Sequence, residues 1–154
     1  MFRAIAMTDL SAMPGHLIRR VHQISMAIFT EQCAAFGLTS VQFAALSAIA
    51  DHPGVDATRL SALIAFDRST LGDVLERLET KGWVQRHPSS ADRRIKLLHI
   101  APAGLKVLAE VQPDVLRVQQ RLLEPLNPTD RGELMRMLTL LVRRHEHGEA
   151  GREG

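Results

Sequence analysis

At 154 residues, with 45% hydrophobic and 23% charged residues and a formal net charge of +2, the chain has the size and composition of one ordinary globular domain. Such a domain buries roughly 70% of the surface its unfolded chain exposes. This composition argues against wholesale disorder, a collagen-like repeat and an integral membrane protein, and no apolar run approaches the roughly 18 residues of a spanning helix. Cys33 is the sole cysteine, so neither a disulfide framework nor a Cys-rich zinc site is expected. The N-terminal MFRAIAMTDLSAMPGH has no sustained apolar stretch or cleavage site, so no signal peptide and a cytoplasmic location are expected. Arginine outnumbers lysine 16 to 3, which suits multi-donor recognition of phosphate or carboxylate but also follows from a GC-rich coding sequence.

From Pro14 to Phe36 the apolar positions Leu17, Val21, Ile24 and Ile28 form one helical stripe. Ile18, Met26, Phe29 and Cys33 widen it toward a second face, so this helix wants more than one partner. After Gly37, the segment Ser40 to Asp51 predicts a second helix, stopped by His52-Pro53-Gly54. A short third helix follows over 56–64, with Asp56 as its cap and Leu60, Leu63 and Ile64 on its buried side.

The fourth helix, about Arg68 to Lys81, is the clearest periodic segment, with Leu71, Val74, Leu75 and Leu78 at i, i+3, i+4 and i+7. Lys81 stands at the negative end of its dipole, Gly82 suits the left-handed C′ position, and Trp83 is placed to close a Schellman-type cap. Val84 to His87 and Ile95 to Ile100 predict two strands around the turn-rich loop PSSADRR. Beyond Ala101 the helical pattern resumes, and Pro113 is expected to kink it. Asn127-Pro128-Thr129-Asp130 starts a last helix with an excess of apolar residues, which implies an interface. The tail HEHGEAGREG is expected to fray.

Two short helices joined by a tight turn and followed by a basic hairpin make a mainly α winged helix-turn-helix. Its second helix has the dimensions to enter a major groove about 12 Å wide with its N-terminal residues toward base edges. Ser69 and Thr70 suit that position. The hairpin carries Arg86, Arg93, Arg94 and Lys96 against the single acid Asp92, a net +3. A protruding arginine at its tip fits a narrow minor groove, and Asp92 is placed to hold the turn.

The run LTSVQFAALSAI…RSTLGDVLERLETKGWVQRHPSSADRRIKLLHIAPAG, with Asp92-Arg93-Arg94 in the wing and Leu78, Gly82, Trp83 and Val84 leaving the recognition helix, resembles the MarR (multiple antibiotic resistance regulator) family. The early PGHLIRRVHQI is similar to the subgroup governing aromatic-acid catabolism. The resemblance implies a homodimer with intertwined N- and C-terminal helices, a pseudo-palindromic site on double-stranded DNA, and release by a small, often aromatic and anionic ligand. It places dimerisation helices over 14–38 and 102–146, the winged domain over 39–101, and flexible ends over 1–13 and 147–154. It also implies that Arg94 is the minor-groove arginine, that Asp92 positions the wing, and that Ser69, Thr70 and Asp73 begin the groove-facing surface. Asp73 either accepts from a cytosine amino group or pairs with Arg77 at i+4. Arg68 and Arg77 are candidate phosphate contacts, and Arg93 and Lys96 complete the DNA-binding set.

For the ligand, His16, Arg19, Arg20 and His22 are candidates, with the arginines clamping a carboxylate and Phe43, Phe66 or Trp83 offering an aromatic wall. Benzoate, cinnamate and hydroxynicotinate types rest on the resemblance alone. No motif organises Ser, His and Asp for catalysis, so an enzyme is not expected, nor is a cofactor. The pairs His16/His22 and His145/His147 do not share a metal-binding spacing on an ordered face, and no metal is expected. The alternative is a redox-sensing or protein-interaction dimer using Cys33. Related peroxide sensors orient their cysteine with tyrosines, and this chain has none.

Overall fold

The computed structural model of the chain describes residues 9–150. Helices and one hairpin follow in the order α1 (Pro14–Gln32), α2 (Ser40–Asp51), α3 (Ala57–Leu63), α4 (Arg68–Thr80), β1 (Val84–Pro88), β2 (Lys96–Ile100), α5 (Pro102–Leu123) and α6 (Pro128–Ala150), with one-turn 3-10 segments at Leu10–Ala12 and Ala34–Phe36. The chain divides into two compact units, Met1–Val118 and Gln119–Gly154.

In the first unit the leucine periodicity of α4 becomes packing. Leu71, Leu75 and Leu78 are completely or almost completely buried, together with Leu46 and Ile49 of α2, Leu60 of α3, Val84 and Leu98 of the strands and Val111 of α5. Local signals fix the helix ends. Thr39 and Gln42 form a reciprocal capping box at α2 with both bonds at 3.2 Å, which also satisfies the buried Gln42 amide oxygen. Asp56 accepts from the Arg59 amide at 2.8 Å, and Asp67 caps α4. At the other end of α4, Gly82 at φ +73° lets the Trp83 amide reach Leu78 O and the Gly82 amide reach Glu79 O. This is the expected Schellman closure.

The helix expected to run from Pro14 to Phe36 ends instead at Gln32, and Ala34–Phe36 tightens into a 3-10 turn before Gly37 at φ +59°. The i to i+3 turn closes the helix end so that the chain reverses at Gly37. At Pro113, α5 remains one element, because Val111 and Val118 are buried on either side and hold both halves in the core. The hairpin is antiparallel with Val84 opposite Ile100 and Pro88 opposite Lys96. A two-stranded hairpin is marginal alone. Here Leu98 also bridges to Val55, with Gly54 N to Leu98 O at 2.8 Å and Leu98 N to Val55 O at 2.9 Å. The wing is thereby pinned to the loop between α2 and α3.

In the second unit, Asn127 accepts from the Asp130 amide at 2.9 Å as the expected cap of α6. The Arg131 guanidinium donates to the carbonyls of Leu123 and Leu126, closing the preceding loop. The tail expected to fray is helical as far as Ala150; residues 1–8 and 151–154 lie outside the described residues. Met135, Met137, Leu138, Leu140, Leu141 and Val142 are all exposed along α6. On α1, Leu17, Ile18, Val21, Ile24 and Met26 are likewise about half exposed. No helix among the described residues is long and apolar enough to cross a membrane.

Candidate nucleic-acid interface

The N-terminus of α4 is built by Asp67. Its carboxylate accepts from the Ser69 amide and hydroxyl, and its carbonyl accepts from the Thr70 hydroxyl at 3.2 Å. The hydrogen bonds from Ser69 hold the Asp67 carboxyl below its usual range. Both hydroxyls therefore spend their hydrogen on the cap and present oxygen lone pairs outward. On a base edge they can accept from the amino group of adenine or cytosine, the donors that the major groove exposes.

The wing turn is held by Asp92. Its carboxylate accepts from the Arg94 amide at 3.0 Å and from the guanidinium Nε and Nη2 at 3.1 and 3.0 Å. These bonds lower the Asp92 carboxyl and raise Arg94 from their ordinary values. Even so paired, the Arg94 side chain is 90% exposed, and a guanidinium carries five N–H donors, so most of its donors stay free. A lowered carboxyl keeps this pair fully formed above the usual carboxylate range and loses it only as pH falls through the still lower folded value. Asp92→Asn is expected to weaken DNA affinity about 10-fold at neutral pH, by releasing the arginine without altering the fold. Fluorescence anisotropy beside circular dichroism checks both halves of that statement.

Between the start of α4 and the wing lies a crevice of about 260 Å³ whose lining includes Arg68, Arg86, Arg94 and Lys96 against one acid, Asp56. Three of these cations are expected from sequence; Arg86 is not assigned there. The strand alternation contains the missing signal, because Arg86 shares the inward face of β1 with Val84. It reaches Glu79 of α4 at 2.5 Å, tying strand to recognition helix. Arg93 is exposed at the tip.

Asp73 and Arg77 are brought elsewhere. They make no ion pair with each other among the described residues, and both line a cavity of about 440 Å³ with Met26 and Thr30 of α1, Val41 of α2, Phe66 and Val74. Of the aromatic residues expected at a ligand site, only Phe66 lines it. Phe43 packs on Phe29 with ring centroids 5.9 Å apart, and Trp83 lies beneath Lys81. Arg19, Arg20 and His22 are exposed along α1 and His16 is half-buried there, and Arg20 donates to Gln23. A broader depression of about 700 Å³ beside the cavity is lined by Asp73 and Glu76 against Arg77 and Lys81 and has no aromatic wall.

Cys33 is fully buried. Burial, and then the negative charge of Asp114, push its thiol upward, which disfavours the reactive thiolate. Among the described residues no group of three or more His, Cys, Asp or Glu side chains is placed to hold a metal ion.

Comparison with known proteins agrees with this geometry. Residues 36–95 match the MarR family model. The chain is 29% identical to the transcriptional repressor NicR of Pseudomonas putida, over 87% of this chain and 85% of that one. It is 30% identical to Bordetella bronchiseptica BpsR, whose DNA binding is regulated by 6-hydroxynicotinic acid, with a TM-score of 0.78 over 83% of this chain and 97% of that one. The repressor CouR, solved on a 23-mer DNA duplex, is 28% identical with a TM-score of 0.79 over 91% of this chain and 99% of that one. Together with the winged helix-turn-helix and its basic crevice, these matches establish that the chain belongs to the MarR family of transcriptional regulators.

Proposed function

We propose that the protein is a homodimeric repressor that binds a pseudo-palindromic operator and is released by a small aromatic carboxylate. The observation that carries the DNA half is the crevice of Arg68, Arg86, Arg94 and Lys96 at the meeting of recognition helix and wing. Four cations within one crevice suit a phosphate backbone, while the hydroxyls of Ser69 and Thr70 stand at the groove-facing end of the same helix. The exposed apolar residues of α1 and α6 are the surfaces a second copy would cover, with 14–38 and 102–146 serving dimerisation and 39–101 reading DNA. Two recognition helices then address half-sites about 34 Å apart.

Log affinity is expected to fall with log salt at about 0.9 per phosphate contact, and Arg86→Ala to lower that slope by about 2 per dimer. Anisotropy titrations across a salt series on a duplex selected by the wild-type protein measure it. An unchanged slope removes Arg86 from the interface.

The ligand half rests on the cavity of about 440 Å³ beneath α4. Phe66, Val41, Val74 and Met26 offer apolar walls for a ring, Thr30 and Thr70 offer accepting hydroxyl oxygens, and Arg77, beside the single acid Asp73, is the lining cation that this cavity provides for a carboxylate. The likeness to BpsR makes a hydroxynicotinate-type acid the first probe, with benzoic and cinnamic acids beside it. Calorimetric titration is expected to show binding of at least one, lost in Arg77→Ala and kept in an Arg19→Ala/Arg20→Ala double variant. The reverse pattern moves the carboxylate to α1, and no heat with any of the three overturns the aromatic-acid reading.

A further inference from the structure

Lys81 is the last residue before the Schellman glycine of α4, and its side chain does two things at once. The ammonium stands 4.5 Å from the centroid of the Trp83 ring, and Nζ donates to the carbonyl of Gly37, 44 positions earlier in the chain. Gly37 closes the 3-10 turn that follows α1, in the left-handed conformation at a φ of +59°. A lysine at a helix C-terminus is favoured by the dipole alone. Here it also spans from the end of the recognition helix to the junction of α1 and α2, with its charge against the face of an aromatic ring.

The recognition helix is held by its two ends in different ways. Its N-terminal end is capped from within by Asp67, Ser69 and Thr70. Its C-terminal end is tied across the fold by Lys81 to Gly37 and by Glu79 to Arg86 of the wing. Leu71, Leu75 and Leu78 seat the helix on the core along one face, and the ties at its C-terminal end fix its direction on that seat. We infer that Lys81 is a positioning residue for DNA recognition: it tethers the C-terminal end of α4 to the α1–α2 junction and so sets the angle at which the N-terminal end meets the groove.

The inference rests on the DNA-binding reading above, and the chain carries its own reporter for testing the two apart. Trp83 is the only tryptophan and there is no tyrosine, so intrinsic emission comes from the ring beneath Lys81. Full-length wild type, Lys81→Met, Lys81→Gln and Lys81→Arg are compared by Trp83 emission, thermal midpoint and anisotropy on a duplex that wild type selects from a randomised pool. Methionine keeps the apolar stem and deletes the charge; arginine keeps the charge. The expected result is that both neutral variants melt with wild type, shift the Trp83 emission and bind about 10-fold more weakly with an unchanged salt slope, while Lys81→Arg restores emission and affinity.

Neutral variants that bind like wild type overturn the inference. A loss of affinity with a slope lowered by about 2 per dimer also overturns it, since that is the mark of a phosphate contact rather than a tether. An unaltered emission in both neutral variants overturns the tether itself, whatever the DNA result. A wild-type protein that selects no duplex overturns the reading beneath the inference, while the emission comparison still decides whether Lys81 holds the ring.

Discussion

Gly104→Ala is expected to destabilise the protein by about 3 kcal/mol and to lower its melting temperature by roughly 6–12 °C. A Cβ at this position would stand 2.3 Å from the carbonyl oxygen of Trp83 and 2.9 Å from Ile100 Cγ1. The oxygen has no room to retreat, because it accepts from the Ala101 amide at 2.9 Å and so belongs to the joint between hairpin and α5. Relief requires α5 to lift off the strand it follows. Gly132, inside α6, supplies the control: nothing lies within 4 Å of its virtual Cβ, so Gly132→Ala should stabilise by about 0.5–1 kcal/mol through helix propensity. Thermal unfolding of both variants at one protein concentration measures the contrast. Equal shifts of either sign would falsify the packing account of Gly104.

Arg94→Ala is expected to cost about 1–3 kcal/mol of DNA affinity per wing, which for two wings is roughly 30-fold or more. Its side chain is 90% exposed, so the melting temperature should not move. Arg94→Lys is not expected to rescue binding. A lysine cannot span both oxygens of Asp92 through two parallel bonds, nor present a planar fork to the groove. Binding of Arg94→Ala within twofold of wild type, by anisotropy at 0.15 M salt, would remove the wing from the interface.

Much of the architecture was legible because its signals are local. Asp56 and Asn127 are caps whatever surrounds them, the spacing of Leu71, Leu75 and Leu78 admits one buried face, and Gly82 followed by Trp83 is a helix stop within its own few residues. Asp92 and Arg94 are two residues apart, so their pairing was also within reach of sequence.

What was not legible depends on distant neighbours. Gly104 and Gly132 read alike in sequence, yet one faces a backbone carbonyl and the other open space. Arg77 shares the polar side of α4 with Asp73, and only the placement of α1 and α2 makes it part of a cavity lining. Arg86 has its role from Glu79, a residue on a different element. The break at Cys33 was likewise decided by packing over local preference.

The burial of Cys33 turns the only thiol of the chain into a clock. A side chain with no exposed surface meets a bulky disulfide reagent only in the moments when α1 and its neighbours part. With closing faster than labelling, the ratio of the observed rate to that of a free thiol equals the population of the open form. The ends of the recognition helix and of α1 share the same core. The labelling rate at Cys33 therefore reads, in seconds rather than in affinities, how firmly that core stays shut as DNA or ligand is added.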